Sequence, residues 1–191
     1  QRIEREPRTS VRDRLLRELA LAVALEEGER VAEKISDAKM REVTVTEVKI
    51  KQIHKQIADR RFEDAERMVR ALPESALRSR ALIEIARAML SDRHEDTVRM
   101  VLEKAWQEAW RAGPTPRRAE CLFEIAGLYA GVDSVRADQI LLDAVKAANE
   151  ATPEERLDVR SESFGRVLYM PGKFSLAYRP DLDEIELPAG L

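Results

Sequence analysis

The sequence predicts an all-α protein: an antiparallel helix-hairpin solenoid closed by a C-terminal cap helix and followed by an extended tail. Three observations carry this expectation. Ala, Leu, Arg and Glu dominate the 191 residues, and all four are good helix formers. Only seven Gly and eight Pro interrupt them. A short pattern, apolar-x-Glu-apolar-small, recurs along the chain, and such self-similarity is the signature of a repeat architecture.

The pattern appears at Leu16-Arg17-Glu18-Leu19-Ala20, Val45-Thr46-Glu47-Val48, Leu82-Ile83-Glu84-Ile85-Ala86 and Leu122-Phe123-Glu124-Ile125-Ala126, with its glutamates spaced by 29, 37 and 40. Each element is justified in turn. Residues 11–25 form the first helix, after Pro7 and around Glu18. A shorter helix over 28–36 completes the first pair. Residues 39–57 form the third; Val and Thr alternate briefly at Val43–Val48, but Glu47 to Ile53 keeps helical spacing. The turn Ala58-Asp59-Arg60-Arg61 opens a helix over 62–72. Pro73 separates it from a helix over 75–91. Val98, Val101, Leu102, Ala105 and Ala109 line one face of a helix over 94–112. Pro114 and Pro116 introduce 115–130, Gly131-Val132-Asp133-Ser134 introduces 133–150, and Pro153 introduces 153–169. Proline is tolerated in a helix's first turn and breaks its interior, so these prolines mark junctions. Asp or Ser in the intervening turns is placed to accept the free amide protons of the next helix. The last helix is rich in charge (Glu154, Glu155, Arg156, Asp158, Arg160, Glu162), as suits a solvated cap. The expected organisation is an N-terminal extension (1–10), a helical-repeat domain (11–169) and a tail (170–191).

Composition limits function. Hydrophobic residues make up 44% and charged residues 36%, which excludes collagen-like, membrane-spanning and low-complexity disordered chains. Cys121 is alone, so no intrachain disulfide forms, and its apolar helical setting reads as core. The net charge of −3 lacks the basic excess of a dedicated nucleic-acid binder. Residues 1–61 carry 15 basic and 12 acidic side chains, whereas 62–166 carry 16 and 20, so the chain is positive first. Of its cations 25 are Arg and 8 are Lys, a bias that suits ion-pair networks and anionic partners. The chain begins at Gln1 without an initiator Met, which leaves a cleaved signal peptide open; a cytoplasmic location is the favoured expectation.

Catalytic and metal motifs are not found. His54 and His94 lie far apart with no His or Cys at ligand spacing, and read as a groove or surface residue and a turn residue. Gly127-Leu128-Tyr129-Ala130-Gly131 lacks the Gly-Lys-Ser/Thr of a phosphate loop; Gly127 reads as a packing position and Gly131 as a helix end. No metal, cofactor or enzymatic activity is expected. Trp106 and Trp110, at i and i+4, face one way and serve either a partner interface or packing between pairs. Glu18, Glu47, Glu84 and Glu124 read as repeated contacts to Arg or to a neighbouring helix rather than as a row of groove carboxylates.

Ala58–Pro73, with Asp, aromatic, Glu, acidic, Ala and then Ala71-Leu72-Pro73, resembles the second half of a tetratricopeptide repeat. The small residues Ala20, Ala86 and Ala126 fall where that family packs helices closely; Lys49 stands there in the second copy. The resemblance covers roughly residues 11–169 and implies a TPR-like superhelix, of the kind that also includes HEAT-like arrays. It further implies that the first helix of each pair lines a concave groove that binds an extended peptide. Transferred by position, the groove holds Arg14, Arg17, Arg80, Ile83, Arg87, Glu120 and Phe123. Arginines there imply an acidic peptide or a chain-terminal carboxylate as partner, unless they pair with neighbouring Glu. In the tail, Lys173–Tyr178 alternates like a strand, and Leu182, Ile185 and Leu187 are candidate anchors onto the array or a neighbouring subunit. The expected function is a non-enzymatic protein-interaction module or accessory subunit of a larger complex. A nucleic-acid-binding repeat protein, or an enzyme or pigment-handling protein on the same scaffold, is the alternative.

Overall fold

The computed structural model describes residues 5–91 and 95–151. They form eight helices: α1 (Arg5–Ala22), α2 (Leu25–Ala32), α3 (Ala38–Ala58), α4 (Phe62–Val69), α5 (Ser75–Ser91), α6 (Glu95–Arg111), α7 (Pro116–Tyr129) and α8 (Ser134–Glu150). No strand occurs among the described residues, and Val43–Val48 lies within α3. The expected cap helix (153–169) and the tail lie outside the described residues.

Helix starts follow the local chemistry. Asp37, Thr115 and Asp133 each accept the amide proton three residues on, from Met40, Arg118 and Arg136. Pro116 occupies the first turn of α7, where its missing N–H costs nothing. Some boundaries differ from expectation. Residues 5–10, assigned to an extension, are the first turns of α1; Pro7 is accommodated because the first amides of a helix have no internal acceptor. Helix α2 begins three residues before Gly28 and places that glycine in its interior. Helix α4 stops at Val69 because Ala71 and Leu72 donate to Met68 and Val69, tightening the chain into a turn. Asp59 ends α3 rather than capping α4, and Arg60 adopts φ 60°, the left-handed conformation that commonly terminates a helix.

The helices pack as consecutive pairs: α1 with α2, α3 with α4, α5 with α6, and α7 with α8. Each even-numbered helix also touches the next odd-numbered one. The odd-numbered helices touch one another in series, α1–α3–α5–α7, whereas among the described residues no two even-numbered helices approach as closely. Ala20, Ala86 and Ala126 are buried on the odd helices, as Ala65, Ala105, Ala109, Ala137 and Ala144 are on the even ones, so small residues line both layers. Long side chains span the wider separation between the even helices. Lys104 of α6 meets Glu66 of α4 at 2.5 Å. Arg136 of α8 meets Glu103 of α6 at 2.9 Å. Trp106 of α6 donates from Nε1 to Asp143 of α8 at 3.2 Å.

Between the layers runs a row of fully buried aliphatics that includes Ile35, Val48, Ile53, Ile85, Leu102, Leu122, Ile125 and Ile140. Full burial of such a side chain contributes about 1.5–3 kcal/mol. Two buried polar groups tie helices together. Ser79 of α5 donates from Oγ to the carbonyl of Ala105 in α6 at 2.8 Å. Asp13 of α1 accepts from the amides of Ser36 and Asp37 at 3.0 and 2.9 Å, so α1 itself secures the turn that starts α3.

Candidate interaction face

The odd-numbered helices present a common face, and the charged residues assigned to it by sequence lie there largely in pairs. Arg17 of α1 donates from Nε and Nη2 to Glu47 of α3, at 3.1 and 2.8 Å. This is the fork geometry that makes an Arg–carboxylate contact directional. On α5, Arg87 donates to Glu84 on its own helix at 2.5 Å and to Glu124 of α7 at 2.9 Å. Arg80 also donates to Glu124. One carboxylate on α7 thus collects two guanidinium groups from α5.

Three of the four recurring glutamates therefore contact arginine; Glu18 of α1 is exposed. Arg14 is exposed as well. Phe123 and Glu120 are half-buried, and Ile83, expected to face the groove, is fully buried in the core. The face is accordingly a partly buried, nearly charge-balanced row rather than an open arginine stripe. Leu182, Ile185 and Leu187 lie outside the described residues.

The electrostatics follow from burial and pairing. Desolvation acts against the charge of Arg87, but the carboxylates of Glu84 and Glu124 outweigh it and raise its pKa above the ordinary arginine value. His54 of α3 lies on the same side. Burial pulls its pKa below the usual histidine value, and the Glu84 carboxylate opposes this in part. His54 is thus uncharged at neutral pH. Burial pushes the Cys121 thiol up to about 11, which makes it a core group rather than a nucleophile.

The opposite face carries the tryptophans. Trp106 and Trp110 meet edge to face, with centroids 6.3 Å apart and planes at 71°. Arg136 of α8 lies 5.0 Å from the Trp106 ring centre, and Arg118 of α7 lies 4.7 Å from that of Trp110. Arg118 is itself buried and donates to Glu150 at 2.8 Å. Both tryptophans pack between neighbouring pairs. The motifs read from the sequence singled out neither Arg118 nor Asp13. Asp13 acts across elements that are distant in sequence, whereas Arg118 stands six residues before Glu124 just as Arg41 and Arg78 stand before Glu47 and Glu84, a recurrence that could have marked it.

A cleft of about 520 Å³ opens between α4 and α6, lined by Phe62, Met89, Met100 and Val101 with Arg60 and Lys104. Lys104 is held by Glu66 there, and Arg61 by Asp64 at 2.5 Å. Among the described residues no group of three His, Cys, Asp or Glu is placed to hold a metal ion, and no helix is long and apolar enough to cross a membrane. No protein-family model, curated protein or solved structure matches this chain.

Proposed function

We propose that this protein is a non-enzymatic protein-interaction module, an accessory subunit that holds a partner chain along the face formed by α1, α3, α5 and α7. The observation that carries the reading is the asymmetry of the two layers. Odd-numbered helices touch one another in series, while even-numbered helices are joined only across the reach of Trp106, Lys104 and Arg136. Repeating a wedge of this kind curves an array toward its closely packed layer, in the manner of a TPR-like or HEAT-like superhelix. The odd face is then the concave one.

Arg17, Arg80 and Arg87 supply the polar part of that face. Their side chains remain 34%, 18% and 37% exposed while paired. The glutamates beneath them are themselves largely buried, Glu47 at 10% and Glu124 at 22% exposed, so a partner's carboxylate adds to these pairs at the exposed side of each guanidinium rather than displacing the glutamate. The near balance of charge favours a partner with both signs, such as a neighbouring subunit, over a uniformly acidic peptide. The acidic excess of the chain as a whole supports a protein over a nucleic acid.

The test is quantitative capture of partners on immobilised full-length chain, comparing wild type with Arg80→Ala/Arg87→Ala. Arg70→Ala, on the exposed end of α4, is the control. A partner lost with the α5 pair and retained with the control supports the odd face. Equal capture by all three chains refutes it.

A further inference from the structure

The repeat makes each helix of one pair comparable with its counterparts, and the comparison singles out the two ends of the array. Aligning the four recurring glutamates places Leu15 of α1 opposite Thr44, Ala81 and Cys121. It places Leu19 opposite Val48, Ile85 and Ile125. The six internal residues are all buried, whereas Leu15 is 66% and Leu19 48% exposed. The internal positions are covered by the preceding pair. Val48, for example, packs with Ala20 of α1 and Val31, Ala32 and Ile35 of the α2 region. Val11, 55% exposed, extends the α1 row by one further turn.

The other end shows the converse. Aligning the buried faces of α6 and α8 pairs Val98 with Ala137, Val101 with Ile140 and Ala105 with Ala144, all buried. The same register pairs Leu102, fully buried, with Leu141, which is 45% exposed. Trp106, which contacts α8 through Asp143, corresponds to Val145, 46% exposed, and Leu142 beside it is 72% exposed. Thus α8 presents an apolar row at the positions with which α6 meets the next pair. Exposed apolar side chains scattered singly need no explanation, but two rows at equivalent repeat positions do.

We propose that these rows are the two halves of one interface and that the chain stacks head to tail, the α7–α8 end of one copy seating against α1 of a second copy. The occupant follows from continuity. The contact of an even helix with the next odd helix occurs three times within the chain, as α2–α3, α4–α5 and α6–α7. Helix α8 holds the even half of that contact and α1 the odd half. A contact between unlike surfaces of identical subunits is heterologous, so it propagates until it closes into a ring or runs on as a filament. This inference rests on the consecutive-pair packing and not on the partner face proposed above.

The test is the molar mass of the full-length chain in solution, by light scattering or sedimentation, across a wide concentration range. The expected result is a mass that grows past that of a dimer with concentration. Leu15→Glu and Leu142→Glu, both at exposed positions, each reduce it to monomer with an unchanged far-ultraviolet spectrum. Mixed together, the two variants form a dimer and stop there, because only one intact α1 row and one intact α8 row remain per pair. A wild-type chain that stays monomeric overturns the proposal and gives the rows to another protein or to residues beyond Ala151. Loss of association in Leu15→Glu but not in Leu142→Glu also overturns it, since that result describes a symmetric α1–α1 contact. Capture of partners through Arg80 and Arg87 is read separately and stands or falls alone.

Discussion

Replacing Gly28 with alanine is predicted to destabilise this protein, although Gly→Ala inside a helix ordinarily does the opposite. Glycine in a helix interior is less favourable than alanine by about 0.8–1.0 kcal/mol, so propensity alone predicts a gain of that size. The structure reverses the sign. A Cβ on Gly28 lies 2.6 Å from the backbone oxygen of Ala20 and 3.2 Å from Val48 Cγ1. The nearer obstacle is backbone, which cannot rotate away, so α2 must move off α1. Overpacking of this kind costs roughly 1–3 kcal/mol, which leaves a net loss on the order of 1 kcal/mol after the propensity gain. Gly127 in α7 is the internal control. Its added Cβ meets nothing within 4 Å, so Gly127→Ala stabilises by about 0.4–1 kcal/mol. Urea unfolding followed by circular dichroism separates the two variants. With a denaturant slope of about 2 kcal/mol per molar, Gly28→Ala lowers the midpoint by roughly half a molar and Gly127→Ala raises it. In an array stabilised by nearest neighbours, the loss concentrates in the pair that bears the change. Amide exchange in α1 and α2 therefore accelerates more than in α7 and α8. A Gly28→Ala chain as stable as wild type would refute the claim that close α1–α2 contact requires glycine.

Three further outcomes follow from the described contacts. Leu122→Ala removes a fully buried side chain from α7 and destabilises by about 2–5 kcal/mol, measured by thermal or urea unfolding; a loss below 1 kcal/mol contradicts its central place. Hydrogen bonds from the Ser36 and Asp37 amides hold the Asp13 carboxyl below the ordinary carboxylate pKa, with burial opposing. Its contribution is therefore complete above about pH 4 and is lost as the pH falls through the lowered value. The stability gap between wild type and Asp13→Asn should accordingly shrink on acidification below pH 4, and a gap that is constant with pH counts against this capping role. Cys121, with its pKa raised to about 11 and its side chain buried, should react with a thiol reagent at pH 8 only as fast as the protein opens. Labelling at the rate of a free thiol in the folded chain would contradict that.

Much of the helix plan was legible because it depends on local chemistry. Residues 75–91 read as a helix from the proline before them and the spacing of their apolar residues, and α5 spans the same residues. Asp133 and Thr115 cap because their side chains reach amides three residues away. The interior of α2 was not legible. Gly28 reads as a helix start, yet it is retained inside the helix because the backbone of α1 passes over it. The start of α3 was equally hidden, since the acceptor for Ser36 and Asp37 comes from α1.

The candidate face divides along the same line. The recurrence of Glu47, Glu84 and Glu124 and the enrichment in Arg are sequence properties, and they raise two alternatives: an arginine-lined groove or a set of internal ion pairs. Only tertiary packing brings Arg17 to Glu47 and both Arg80 and Arg87 to Glu124, because these pairs span neighbouring odd helices. The sequence by itself determined that this chain is helical, that its helices alternate in pairs and that its small residues recur. Those properties reside in periodicity, propensity and punctuation within one turn or one junction. The tertiary structure decided which face is paired and which rows remain bare, because a side chain's burial depends on the element that packs over it. Leu15 and Ile85 show the difference: both are apolar residues on an amphipathic helix, and only the presence of a preceding pair makes one core and the other surface.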